Sequence, residues 1–303
     1  MGTERKNGEP FKTILLVGAT GKLGGFIARA LLTKGVRLRL LVRPGSRAKL
    51  ATDIATASEV VENEAGAFDG VYTVVSAVQG GPETIINAQL NLLRAARAAG
   101  VRRFIPSDYS FNFFGLAEGE NPNSDWRREF ARRAEHERGA VEVVHVLNGC
   151  FLDAGVLFGF LGAFDLKKGE AYLWGDDNEK MQFTTYADTA AYTAAAVADG
   201  PLPSEFFVAG ESLTFHELVN ETAAGLGRPI TVKKLGTLAD LDTEIARRLQ
   251  AEPGNMFSWL PLMYWRGALN GKGKLGPLMN AQYPAIHPTG VRKYVKGMLA
   301  ANR

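Results

Sequence analysis

The chain has 303 residues, 46% apolar and 22% charged, enough for one large domain or a nucleotide-binding domain with a smaller companion. Its formal net charge is only +3, and its densest basic run, "WRREFARRAEHER", is interleaved with acids, which argues against nucleic-acid binding. A single cysteine, Cys150, excludes an intrachain disulfide framework and a Cys-based metal site, and His136, His145, His216 and His287 lack metal-ligand spacing.

The first residues, "MGTERKNGEPF", are polar and unlike a signal peptide. The most apolar stretch, "GCFLDAGVLFGFLGAF", is too short to span a bilayer and is broken by Asp153. The expectation is a cytoplasmic protein without a membrane partner.

"TILLVG" (13–18) is a continuous apolar run, the mark of a strand buried on both faces. "KLGGFIARALLTKG" follows with helical spacing and closes at Gly35. "RLRLLVR" (37–43) reads as the next strand, "EVVEN" as a short third and "VYTVVSAV" (71–78) as a fourth. "PETIINAQLNLLRAARAAG" opens with proline in the first helical turn and ends at Gly100. "RRFIPS" (102–107) and "VEVVHVLNG" (141–149) read as further strands, separated by a helix around 124–138. This alternation implies right-handed crossovers and a Rossmann-type, doubly wound parallel α/β sheet.

After Gly149 the strands shorten and the helices become more aromatic, as in "NMFSWLPLMYWRGALNG" (255–271). Within this half, "MQFTTYADTAAYTAAAVADG" and "SEFFVAG" read as a helix and a strand able to return to the main sheet. The expected organisation is a dinucleotide-binding domain over 1–152 and a smaller, interleaved α/β substrate domain over 153–303, with segments near 181–210 returning to the first sheet.

"VGATGKLGG" sets Gly18, Gly21 and Gly24 at G-x-x-G-x-x-G spacing between a buried strand and a helix. Glycine at 18 and 21 permits a tight turn and close backbone approach to a pyrophosphate at the helix N-terminus, and Gly24 permits close helix–strand packing. The second strand ends "LVRPGSRAKL", with Arg43, Arg47 and Lys49 and no neighbouring acid, which favours NADP(H) over NAD(H) because a guanidinium can hold a 2′-phosphate. In "SAVQGG" (76–81), small residues let a dinucleotide cross the sheet edge, with Gln79 as a polar contact; a plain connecting loop is the alternative.

With the glycine motif, "VRP", "RRFIPSDY" and "LNGCF" in this order, the chain resembles the NmrA-like, isoflavone-reductase-like branch of the atypical short-chain dehydrogenases. The resemblance extends through "YADTAAYTAAAV" and "LTFHELVNETAAGLG" and is clearest over 13–190. It implies an NADP(H)-binding Rossmann domain, a C-terminal substrate domain, an active site in the cleft between them, and for many members reduction of aromatic or quinone substrates. It places Gly18, Thr20, Gly21, Lys22 and Leu23 in the pyrophosphate loop and Arg43 at the 2′-phosphate. Ala77 and Gln79 fall in the loop after the fourth strand, and Pro106, Ser107 and the Asn148–Phe151 stretch fall beside the nicotinamide half.

The family's reductases carry a lysine in a K-x-E-x-R-like pattern on the helix after the "PS" strand. Here the matching "DWRREFARR" puts Arg127 at that place, and no tyrosine is followed by lysine at Y-x-x-x-K spacing. An arginine can stabilise an oxyanion but cannot surrender a proton. Arg127 is therefore the expected electrostatic clamp, with surface exposure the plain alternative. Tyr109 or water would supply the proton, unless Tyr109 only packs. His216, near a helix start, suits a capping or surface role. Phe111, Phe113, Phe114, Trp126, Phe257, Trp259, Tyr264 and Trp265 divide between core and the lining of an apolar pocket.

The expected activity is NADPH-dependent reduction of an aromatic or apolar carbonyl, quinone or conjugated alkene. The alternatives are a non-catalytic NADP(H)-binding sensor acting through a protein partner and, more remotely, an epimerase or lyase. The assembly, a homodimer among the options, is left open.

Overall fold

The computed structural model describes residues 12–197 and 200–301, so the polar N-terminal stretch read above lies outside the described residues. Six strands form one parallel sheet: β1 (Thr13–Val17), β2 (Arg37–Leu41), β3 (Glu59–Val61), β4 (Val71–Ser76), β5 (Arg103–Ile105) and β6 (Glu142–Val143). Their order, β3-β2-β1-β4-β5-β6, has its reversal between β1 and β4, the arrangement of the doubly wound dinucleotide fold. Ile14, Leu15 and Leu16 of the central strand are fully buried, the consequence of helices on both faces.

The crossovers carry α1 (Lys22–Thr33), α2 (Thr52–Ala57), α3 (Gln89–Ala98) and α4 (Pro122–Glu137). The segment opened by Pro82 does not begin as a regular helix, because Glu83–Ala88 winds as a π-helical turn before α3. Gln89 lies just past that wider turn, fully buried, with its Nε2 donating to the Ile85 carbonyl at 2.8 Å.

Two expectations from the sequence are corrected. The strand expected over 141–149 is broken at Val144: β6 stays in the sheet, while His145–Leu147 pairs with Glu205–Phe207. The stretch read as one helix from Met181 begins instead as a strand, Met181–Thr184, between Glu211–Leu213 and Cys150–Phe151, and only Tyr186–Ala196 is helical. Pairing with two partners makes this segment a strand.

The chain divides into two compact units. Among the described residues, the first comprises those within 1–109, 126–146 and 189–206. Its core gathers Leu15, Val74, Leu93, Phe104 and Phe130. The second comprises residues 110–125, 147–188 and 207–303. Its core gathers Phe164, Phe183, Phe215 and Trp265, with the Trp265 indole donating to the Leu161 carbonyl at 2.8 Å. Half of the eight aromatic residues noted in the sequence are core: Phe111, Phe113, Trp259 and Trp265 are buried, Phe114, Trp126 and Tyr264 are half-buried, and Phe257 is 79% exposed. Among the described residues, no helix is long and apolar enough to cross a membrane, and no group of three or more His, Cys, Asp or Glu could hold a metal ion.

Arg103 fastens the last stretch of the first unit to the sheet. Its side chain is 1% exposed, bridges to Glu142 at 2.8 Å, and donates to the carbonyls of Ala196 and Gly200. Breaking a buried, multiply bonded ion pair costs about 3–5 kcal/mol. Arg103→Met is expected to lower the free energy of unfolding by about that much in chemical denaturation. A loss below about 1 kcal/mol would show that the arginine is not the fastening.

Candidate functional site

The turn from β1 into α1 is fixed by backbone crowding. Gly18 adopts φ +90°, and a Cβ there would lie 2.5 Å from the Ala77 carbonyl oxygen, so no other residue fits. Gly24 is constrained as tightly, because its Cβ would lie 2.1 Å from the Gly18 oxygen. Gly21 differs: the nearest atom to its Cβ would be the same oxygen at an ordinary 3.4 Å. The protein's own packing thus requires glycine at 18 and 24 but not at 21, where a bare backbone leaves room above the helix start.

That helix start is short of acceptors. α1 has no side-chain cap and no acid in its first turn, which leaves its leading amides pointing outward. Two later helices are capped, Thr214 with Glu217 and Thr237 with Asp240 forming capping boxes, whereas Thr52–Ala57 and Met256–Leu269, like α1, have no side-chain cap. Uncapped amides, the positive end of the helix dipole and the adjacent exposed Lys22 suit an anionic group.

Arg43, Arg47 and Lys49, after β2, are exposed, and among the described residues their side chains have no hydrogen-bond or ion-pair partner. The loop is not as free of acids as the sequence suggested. Parallel pairing of β2 with β3 brings Glu62 alongside, where its carboxylate accepts the Gly45 amide at 3.3 Å.

At the carboxyl ends of β1, β4 and β5, polar contacts join one strand end to the next. The Ala77 amide donates to the Val17 carbonyl at 2.8 Å. The Ser107 hydroxyl donates to the Val78 carbonyl at 2.7 Å, and the Ser107 amide to Gln89 Oε1 at 2.8 Å. Gln79 lies exposed beyond these ties, while Pro106 is buried among them; Thr20 is exposed and Leu23 half-buried at the glycine turn.

Tyr109 stands at φ +27°, the only non-glycine residue with positive φ among those described. Such a backbone costs about 1–3 kcal/mol and persists where its surroundings over-determine it. The preceding residue supplies the restraint. The Asp108 amide donates to the Pro106 carbonyl at 3.0 Å, its carbonyl accepts Arg127 Nε at 3.0 Å, and its carboxylate meets His145 Nδ1 at 2.6 Å. The Tyr109 side chain is 6% exposed, and burial pushes its pKa well above the ordinary range despite the neighbouring Thr193 hydroxyl. A buried phenol with a raised pKa is a poor proton donor. Arg127 is half-buried on α4 rather than a bare surface residue.

In the second unit, Asn148 is fully buried, and among the described residues neither polar atom of its side chain has a partner. Its backbone is held on both sides: the amide donates to Ser110 O at 3.0 Å, and the carbonyl accepts Thr184 Oγ1 at 2.6 Å. An unsatisfied buried amide is costly and marks a place built for a polar group. Phe151 packs edge-on against Tyr186 with centroids 4.4 Å apart. Burial pushes the adjacent Cys150 thiol up to about 12, which disfavours its thiolate near neutral pH.

The model of the NmrA-like family matches residues 10–258. The chain belongs to the NmrA-like family. Among curated relatives, the phenylcoumaran benzylic ether reductase PT1 of Pinus taeda is 28% identical over 204 residues, covering 61% of this chain and 65% of that protein. Pinoresinol reductase 2 of Arabidopsis thaliana is 26% identical over 209 residues, covering 61% of this chain and 64% of that one. The matched part thus spans about 65% of the length of these relatives. Among solved structures, AtPrR2 with NADP+ and (+)pinoresinol superposes with a TM-score of 0.80 at 22% identity, over 95% of this chain and 99% of that one. The NADPH-dependent quinone oxidoreductase QOR2 complexed with NADPH from Escherichia coli gives 0.72 at 21% identity, over 94% and 99%. At these identities the shared property is the fold.

Sequence reasoning missed Gln89, Asp108 and His145. His145 was weighed only for metal-ligand spacing, and Asp108 was read as part of "PSDY" without a partner 37 residues away. Gln89 was not singled out within "PETIINAQLNLLRAARAAG". His216, read as a capping or surface residue, is half exposed with its Nδ1 2.8 Å from the Asp177 carboxylate, and Asp177 also accepts the Phe215 and His216 amides.

The three glycines separate by stability. Gly24→Ala is expected to cost about 1–3 kcal/mol or more through backbone overlap. Gly21→Ala should cost under about 1 kcal/mol, since only the N-cap preference changes. Equal losses for the two in thermal or denaturant unfolding would contradict the distinction.

Proposed function

We propose that the first unit binds NADP(H) and that the protein is an NADPH-dependent reductase of an aromatic or apolar carbonyl, quinone or conjugated alkene. The observation that carries the reading is Gly21, bare at an uncapped helix start where the chain's own packing does not demand glycine. Relatives named as reductases of phenylcoumaran and pinoresinol, and fold neighbours described with NADP+ or NADPH, support it.

On this reading the leading amides of α1, with Thr20, Lys22 and Leu23 beside them, hold the pyrophosphate, and Gly18 and Gly21 keep the backbone close. Arg43 takes the 2′-phosphate by a charged fork. Ala77 and Gln79 border the path across the strand ends. Pro106 and Ser107 receive the nicotinamide half. The dinucleotide supplies a hydride. The protein's task is to hold the acceptor carbon and stabilise the charge that grows on the substrate oxygen. Arg127 does the second. Because it keeps its proton and the Tyr109 hydroxyl is buried, water delivers the proton and Tyr109 serves as packing.

A second reading, a dinucleotide sensor without turnover, draws on Arg127. It stands where the family resemblance calls for lysine, and its Nε is committed to the Asp108 carbonyl.

Calorimetric titration with NADPH and NADH tests the cofactor assignment. Arg43→Ala should weaken NADPH by about 10-fold or more and leave NADH nearly unchanged; equal weakening would remove the 2′-phosphate role. Loss of reduced-nicotinamide absorbance across a panel of quinones, enals and ketones tests turnover, and Arg127→Ala should slow any activity found by about 100-fold. Cofactor binding with no oxidation by any acceptor would favour the sensor.

A further inference from the structure

The buried hydrogen-bonded pair of Asp108 and His145 has no part in the chemistry described so far, yet it sits at the carboxyl end of β5, the edge at which doubly wound sheets bind their ligands. Its geometry is demanding. The Asp108 side chain is fully buried and that of His145 nearly so, and the two meet at 2.6 Å. The carboxylate accepts, so His145 carries its hydrogen on Nδ1. Among the described residues Asp108 Oδ1 has no partner, which makes His145 the one side chain hydrogen-bonded to this carboxylate. A half-satisfied buried carboxylate does not earn its place through stability alone.

What the pair does hold is a turn. Residues 106–109 follow β5 through an amide-to-carbonyl bond from Asp108 to Pro106 and into the left-handed backbone of Tyr109. Ser107 is tied on one side to Val78 and Gln89, and the Asp108 carbonyl on the other to Arg127 of α4. His145 is itself anchored, its amide donating to the Ser204 carbonyl at 2.7 Å. The carboxylate–imidazole contact is therefore the tie between this turn and a strand that lies outside the six-stranded sheet.

We propose that Asp108 and His145 are positioning residues for the nicotinamide half of the cofactor: together they fix the 106–109 turn and, through the Asp108 carbonyl, the aim of Arg127. The inference rests on the cofactor reading given above. If His145 no longer meets Asp108, a buried charge is left without its partner, and the turn must move to hydrate it. Pro106 and Ser107 then shift, while the glycine turn after β1 and the backbone of the Arg43 loop after β2 keep their own contacts.

Two substitutions at His145 separate position from mere folding. An asparagine amide nitrogen falls near the Nδ1 position and can still donate to Asp108. A glutamine amide reaches past it, toward Nε2, and loses the contact while staying polar. Calorimetry would compare NADPH with adenosine 2′,5′-bisphosphate, which lacks the nicotinamide half, on wild type, His145→Asn and His145→Gln, with thermal midpoints recorded beside them. The expected result is an NADPH affinity about 10-fold lower in His145→Gln, near wild type in His145→Asn, and an unchanged affinity for the bisphosphate in both. Equal changes for the two nucleotides, no change for either, or no recovery in His145→Asn would overturn the proposal. If wild type binds neither nucleotide, the cofactor reading falls and the inference falls with it. If wild type binds both and only the selectivity is missing, the positioning role alone is lost.

Discussion

The constraint on which the first unit depends is a steric one, the absence of space beside Gly18. The Ala77 carbonyl lies where a side chain would begin, and the Gly18 oxygen lies where a side chain on Gly24 would begin. These contacts press the end of β1 against the end of β4 and bring the first turn of α1 down onto both. The consequence is electrostatic. A helix start is held over the point where the strand order reverses, with its amides unspent and no acid to cap them. A helix start suited to an anion is the by-product of close packing by residues with no side chain.

A second set of contacts continues along the strand ends by a different chemistry. Where β1 and β4 touch through bare backbone, β4 and β5 are joined by buried polar groups, the Ser107 hydroxyl and the Gln89 amide. The π-helical turn before α3 leads directly to Gln89. The extra residue in that turn is thus used to aim a buried amide, a common role for such bulges at functional sites. Beyond Ser107 the network becomes charged, with Asp108 between His145 and Arg127, and the backbone is forced into a conformation that tyrosine does not favour. Strain and partly satisfied charge concentrate at the same strand end, as expected of a region shaped for binding rather than for stability.

Much of the fold was legible in the sequence. Continuous apolar runs at 13–17 and 71–76 mark strands covered on both faces, and glycine closes α1 and α3 at Gly35 and Gly100, both at positive φ. The glycine spacing and the basic loop after β2 were also readable, because local chain geometry dictates them. The errors arose where tertiary pairing overrode local pattern. Met181–Thr184 became a strand because two partners flank it, and residues 141–149 broke at Val144 because the second half has a different partner from the first. The acid beside the basic loop, Glu62, was invisible for the same reason: parallel pairing, not sequence proximity, delivers it to Gly45.

The division follows the range over which each residue acts. Short-range features, the period of apolar residues, the glycines that turns require and the basic loop after β2, are written in neighbouring positions, and by themselves they determined the sheet class, the glycine turn and the resemblance to the NmrA-like family. Burial and long-range hydrogen bonding are not. Only the folded chain put the Tyr109 hydroxyl inside, tied Arg127 to the Asp108 carbonyl and brought His145 to a carboxylate 37 residues earlier. A side chain's environment is the sum of contacts from several strands, and that sum exists only once the sheet has formed.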